Sequence, residues 1–157
     1  MWLVLSLAEL GEFEEALSWV TKTVGLAERE HGPHERVWAY FGAGRVHLVH
    51  GTYSDAIVVL ERGLPLFDTG GLAVYVSRTF STLGAAHALA GHVAEALPSL
   101  ERAAREGEAI GFRYGHSLVL SHLAEGYRLA GRIDEAGSIA DDAVVASPRR
   151  GEEEWGS

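Results

Sequence analysis

Cysteine is absent from this chain, and its absence removes disulfide frameworks, thiolate zinc sites, cysteine nucleophiles and thiol redox couples together. A reducing compartment suits such a composition. Basic residues are scarce, with 13 Lys and Arg against 22 Asp and Glu and a formal net charge of -9. A binder of duplex DNA or RNA must neutralise phosphates with clustered cations, so nucleic acid is not an expected partner. Long apolar runs are also missing. The stretch Met1-Trp2-Leu3-Val4-Leu5-Ser6-Leu7-Ala8 is cut by Glu9 and Gly11, far below the roughly 20 residues that span a bilayer. No Lys or Arg precedes Lys22, so the run lacks the basic lead of a secretory signal. A cytoplasmic location without a membrane partner is expected. The 157 residues, 47% of them hydrophobic, are enough for one domain with a core that needs no disulfide or structural metal, and they exclude intrinsic disorder.

What the chain does have is a repeat. Gly11-Glu12-Phe13-Glu14-Glu15-Ala16 recurs as Gly51-Thr52-Tyr53-Ser54-Asp55-Ala56, Gly91-His92-Val93-Ala94-Glu95-Ala96 and Gly131-Arg132-Ile133-Asp134-Glu135-Ala136, at a constant period of 40 residues. After each hexamer, apolar or small residues recur three and four apart. They are Ala16, Trp19, Val20, Thr23, Val24 and Ala27 in the first copy, and Ala56, Val59, Leu60, Gly63, Leu64 and Phe67 in the second. The last two copies repeat it less fully, as Ala96, Leu100, Ala103 and Ala104, then Ala136, Ile139, Ala140, Ala143 and Val144. Helical stretches over 37–50, 74–90 and 113–130 precede the hexamers. The turn Gly supplies a positive φ that ends one helix, and the acidic residue four positions on sits in the first turn of the next, where the helix dipole favours it. Pro65 and Pro98 fall inside second helices and each removes a hydrogen bond; Pro65 is expected to mark an irregular close near Leu64, and Pro98, near its helix start, to be tolerated more easily. Gly32-Pro33, Gly70-Gly71, Gly111 and Pro148 punctuate the hairpins.

These residues resemble the tetratricopeptide repeat family. Its small position seven before the turn Gly is held by Gly44, Gly84 and Ala124, its aromatic position four before by His47, His87 and Tyr127, and its Ala five after by Ala16, Ala56, Ala96 and Ala136. The period of 40 departs from the family's 34, and the closing Pro is missing or displaced. Longer repeats of this kind resemble those of bacterial signal-transducing ATPases, MalT-like transcription activators and ATPase-linked nucleotide cyclases. The resemblance implies an all-α, right-handed superhelix of antiparallel hairpins over residues 1–147, with 148–157 a tail or the start of a further repeat. It also implies a non-enzymatic scaffold that binds a peptide or partner protein along its concave groove. Carried over by position, the groove residues are Trp38, Phe41, Arg45, Arg78, Ser81, Ala85, Leu118, Ser121 and Glu125, with His122 and Arg128 nearby. Aromatics and Arg are the types that anchor protein recognition, and Arg45, Arg78 and Arg128 are suited to a bidentate grip on carboxylates; the alternative for Trp38 and Phe41 is packing on the preceding repeat.

Other constellations give way to packing. His31/His34 and His47/His50 have i, i+3 spacing, but Gly32-Pro33 separates the first pair, and His47 shares its repeat position with His87 and Tyr127, which reads as a ring packed between helices. The pattern around Gly42 and Gly44 has His47 where a dinucleotide fingerprint needs its third Gly, and no GxxxxGK[ST] occurs. Ser117, Ser121 and His122 lack a G-x-S-x-G elbow, and Glu152-Glu153-Glu154 reads as a solvated helix start. No catalytic residue, metal or cofactor is expected. The rival readings are a regulatory module of a larger signalling ATPase, transcription regulator or nucleotide cyclase, and a histidine-based metal protein.

Residue 1 falls within the first helix of its repeat, so neither end carries a polar cap of the kind solenoids use. Trp2, Leu3, Leu5 and Leu7 are more apolar residues than one face of a short helix buries, and they are expected to meet another repeat or a second copy of the chain. Self-association through these ends predicts a dimer mass by size-exclusion chromatography with light scattering across a hundredfold concentration range; a strict monomer would overturn it.

Overall fold

The computed structural model describes residues 2–30, 32–69, 73–111 and 115–147. His31, Gly70-Gly71, Arg113, Pro148, Glu152-Glu153-Glu154 and the side chain of Trp2, all used in the reading above, lie outside that description. Among the described residues the chain forms α1 (Trp2–Glu9), α2 (Phe13–Glu30), α3 (Pro33–His50), α4 (Tyr53–Glu61), α5 (Ala73–Leu89), α6 (Val93–Ala109), α7 (His116–Leu129) and α8 (Ile133–Ala146), with a 3-10 segment at Leu64–Thr69 and no strand. Sequential pairs pack as helical hairpins. The odd-numbered helices touch in series, α1 on α3, α3 on α5 and α5 on α7, while each even helix also packs on the next odd one. The fold is therefore all-α, built from one repeated joint.

Each joint has the same backbone. Gly11, Gly51, Gly91 and Gly131 adopt φ of +83°, +88°, +87° and +76°, a conformation that costs other residues about 1–2 kcal/mol. The residue after each Gly donates its N–H five residues back, Thr52 to His47 O at 3.0 Å, His92 to His87 O at 2.8 Å and Arg132 to Tyr127 O at 2.9 Å. That residue's own carbonyl then accepts the N–H of the motif Ala, as in Ala96 to His92 O at 3.0 Å. The hexamer thus closes one helix and opens the next while satisfying two of the terminal carbonyls at each bend, as at His47 and Leu48.

Packing across each hairpin depends on a missing Cβ. A methyl at Gly44 would strike the Leu60 side chain, and one at Gly84 would lie 2.5 Å from Leu100 Cγ. Leu60 and Leu100 are fully buried, and a methyl at Gly126 would strike Leu100 from the α7 side. The large residue and its receiving glycine sit 16 positions apart in both copies. At the corresponding positions of the fourth copy stand Ala124 and Ala140, so volume is redistributed while the hairpin is kept. Around these pairs lie clusters of Val4, Ala8, Ala16, Val20, Ala43 and Val46, then Ala88, Ala96, Leu100 and Leu123, then Phe80, Ala103 and Val119.

Two local features, the start of α3 and the exposure of Trp19, differ from the periodic reading, while both prolines behave as expected. Helix α3 starts at Pro33, four residues before 37, because proline is pre-organised for a first helical position and Gly32 precedes it in extended backbone. The second helix of copy two stops at Glu61, the irregular close expected of Pro65, which cannot donate to the Glu61 carbonyl. The chain continues as the 3-10 segment, and Phe67 still packs on Phe80. Pro98 lies within α6, which runs on to Ala109. Trp19, assigned by period to the buried stripe, is 39% exposed, with Lys22 over its ring at 4.7 Å.

Gly44→Ala is expected to lower stability by ~1–3 kcal/mol through overpacking, and Leu60→Ala by ~2–5 kcal/mol through a cavity. The double variant, which reproduces the Ala/Ala pair of the fourth copy, should lose less than the sum by at least about 0.5 kcal/mol. Urea denaturation of the four proteins measures the coupling; strict additivity would show that the two residues do not share a space.

Candidate functional site

The series of odd helices aligns side chains one repeat apart. Phe41 and Arg45 project from α3, Arg78, Ser81 and Thr82 from α5, and Leu118, Val119 and His122 from α7, and together they line one small pocket. Six residues assigned to the groove from sequence are thus brought together: Phe41, Arg45, Arg78, Ser81, Leu118 and His122. Arg78 lies over the Phe41 ring at 5.0 Å, and Trp38 stacks on Phe41 at 5.7 Å. Tyr75 touches Trp38 at 5.1 Å and His34 at 5.4 Å, so a shelf of rings leads to the arginines. Tyr75 was not singled out in the sequence; its signal was position, 37 residues after Trp38 on the next odd helix.

The charges of the site are arranged by the fold. Arg45 Nη2 reaches Glu9 Oε1 of α1 at 3.3 Å, a single long contact on a side chain that is otherwise mostly covered. Ser81 is buried and its Oγ shares a 2.8 Å hydrogen bond with His122 Nδ1. Burial, and then the Arg45 cation, pull His122 down to about 4, so the imidazole is neutral at pH 7. A hydroxyl and an imidazole in contact could suggest a nucleophile and base, but no described carboxylate faces His122 to orient it as the third group of a triad would. The arrangement offers two guanidiniums, a hydroxyl and a neutral ring, which is chemistry for holding an anion.

Ser121, Glu125 and Arg128 go elsewhere. They line an open groove of about 590 Å³ between α7 and α8 with Ala124, Ala136, Ala140 and Val144. Arg128 is engaged by Glu125 through two hydrogen bonds at 2.7 and 2.6 Å, which hold the Glu125 carboxyl below its ordinary value. Ser121 donates to Ser117 O at 2.8 Å. Ala85 is buried within α5. At the other end Leu5 and Leu7 pack against the first cluster, whereas Leu3 is 58% exposed.

The aromatic repeat position makes local contacts in the three copies that carry a ring there. His47 Nδ1 pairs with Thr52 Oγ1 at 2.9 Å and burial lowers its affinity for a proton. His87 lies 6.0 Å from His92, and Tyr127 carries Arg132 over its ring at 4.1 Å while its hydroxyl donates to Glu101 at 3.1 Å. Among the described residues no group of three or more His, Asp or Glu is placed to hold a metal ion, and no helix is long and apolar enough to cross a membrane.

A chain of paired helices in which each pair packs on its neighbours defines a helical-repeat protein. The family model for the tetratricopeptide repeat matches residues 1–20, 77–102 and 117–142, the last two being α5/α6 and α7/α8 in identical register. These segments are similar to tetratricopeptide repeats, and the hairpin of α3 and α4 shares their glycine turn. No curated protein matches the chain. Repeats of this family generally mediate protein–protein interaction.

Because His122 is neutral when folded and titrates near 6.5 when unfolded, its contribution to stability is present above pH 6.5 and is lost as pH falls towards about 4. The loss is expected to be on the order of 3 kcal/mol. Thermal unfolding of wild type between pH 7 and pH 4.5 should show a steeper decline than His122→Gln, whose side chain cannot take up a proton; parallel curves would show that His122 is not buried neutral.

Proposed function

We propose that the protein is a non-enzymatic scaffold that binds an acidic peptide segment of a partner protein along its odd-numbered helices. The observation that carries this reading is the convergence of Arg45 and Arg78, from consecutive repeats, on one pocket beside the Trp38–Phe41–Tyr75 shelf. In a chain of net charge -9, two arginines on one face are the positions where a carboxylate would be drawn in, and partial burial strengthens each charge-assisted hydrogen bond. The rings add apolar area for a side chain flanking the acid. Residues 1–147 act as one repeat domain in this reading, with the row of odd helices as the inner face of a right-handed superhelix, and the cysteine-free composition suits the cytoplasm.

Fluorescence anisotropy with a labelled oligoglutamate peptide, and oligoglutamine as control, tests it. Binding should favour oligoglutamate, and Arg45→Glu with Arg78→Glu should weaken it by ~2–5 kcal/mol with the helical circular dichroism unchanged. Equal affinity for the two peptides, or unchanged affinity in the double variant, would exclude the pocket as the acidic contact.

A further inference from the structure

His122 is the one largely buried imidazole in the pocket, and the anion-binding role gives it no task. Its ring is fixed from α5 by Ser81 and stands beside Arg45 of α3 in a pocket that Arg78 also lines. From α1, Glu9 reaches this region only through Arg45. Along α7 itself, Glu125 and Arg128 neutralise each other on the groove that faces α8. Helices α6 and α8 also pack on α7 but place no charged side chain in the lining of this pocket. The Arg45 cation therefore acts on the imidazole and adds to desolvation, the larger cause, in keeping the ring neutral.

Resting on the reading above, we infer that His122 couples the pocket to pH: a carboxylate seated between Arg45 and Arg78 cancels the cationic field, and the imidazole takes up a proton as the peptide binds. The proton gives the site a third positive group against the same anion. Linkage fixes the sign. Free His122 titrates near 4; when the bound ring titrates higher, the complex holds more protons than the free protein, and affinity rises as pH falls through the interval between the two values. Within that interval the gain is up to about tenfold per pH unit. The peptide's own carboxylates act in the opposite direction. A cation beside them lowers their titration, so they release protons on binding, and a net uptake identifies a group of the protein.

Isothermal titration calorimetry of oligoglutamate binding at pH 5.5, in two buffers of different ionisation enthalpy, counts the protons directly. Wild type should show net uptake and a dissociation constant that tightens from pH 7 to pH 5.5; His122→Gln, which retains a partner for Ser81, should show neither. Binding without uptake, or equal uptake in His122→Gln, would overturn the inference while leaving the acidic-peptide reading intact. A second arm needs no ligand. The His122 ring titration followed by NMR should move upward in Arg45→Gln relative to wild type, as removal of the neighbouring cation requires. An unchanged titration would overturn the coupling whether or not oligoglutamate binds, and failure of oligoglutamate to bind, with the titration shifted, would sink the peptide reading alone.

Discussion

The structure depends on a leucine entering the space left by a missing Cβ. Leu60 against Gly44, and Leu100 against Gly84 and Gly126, bring helices of a hairpin and of adjoining hairpins close enough for alanine to fill the remaining contacts. Interiors are packed to near crystalline density, so this contact has little latitude. It sets the approach of each even helix to its odd partner, and so determines which side chains of α3, α5 and α7 face one another. The pocket of Phe41, Arg45, Arg78, Ser81 and His122 is a consequence two steps removed from that packing.

Much of the fold was legible in the sequence because the information is local and repeated. A glycine needed for positive φ, an acidic residue in the first turn and an alanine at the crossing occur four times at one spacing, and all four turns have the expected backbone. Proline worked in both directions: the irregular close expected at Pro65 is present as a 3-10 segment, whereas Pro33 opens a helix earlier than its apolar residues begin. Trp19 fell on the apolar stripe by spacing alone, yet Lys22 and Glu15 on its own helix cover it. Periodicity reports a face, and tertiary neighbours decide how deeply that face is buried.

The site was legible in part. Position within the repeat named Phe41, Arg45, Arg78, Ser81, Leu118 and His122, and the structure places them around one pocket. Position within the repeat did not separate Ser121, Glu125 and Arg128, which turn to the α8 side, from His122 on the same helix; adjacent residues such as Ser121 and His122 are rotated by about 100° and so face different neighbours. Nor could it show the Ser81–His122 hydrogen bond, which joins residues 41 positions apart. Tyr75 precedes the periodic core of α5 and owes its role to the rings of α3.

The fourth repeat carries a further consequence of its small residues. In α8 the buried apolar positions are Ala136 and Ala143, whereas α6 buries Leu100 with Ala96 and Ala103. Less apolar area leaves water there, and each leucine replaced by alanine removes on the order of 2 kcal/mol of transfer free energy. In a chain where repeats are stabilised by their neighbours, local opening begins at the unit with least to lose. Leu118 and His122 belong to α7 of that unit, so one wall of the pocket stands on a hairpin whose second helix buries no leucine, while the helices of the arginines receive Leu60 and Leu100. Composition alone would then make amide hydrogen exchange faster in α8, behind the imidazole, than in α6.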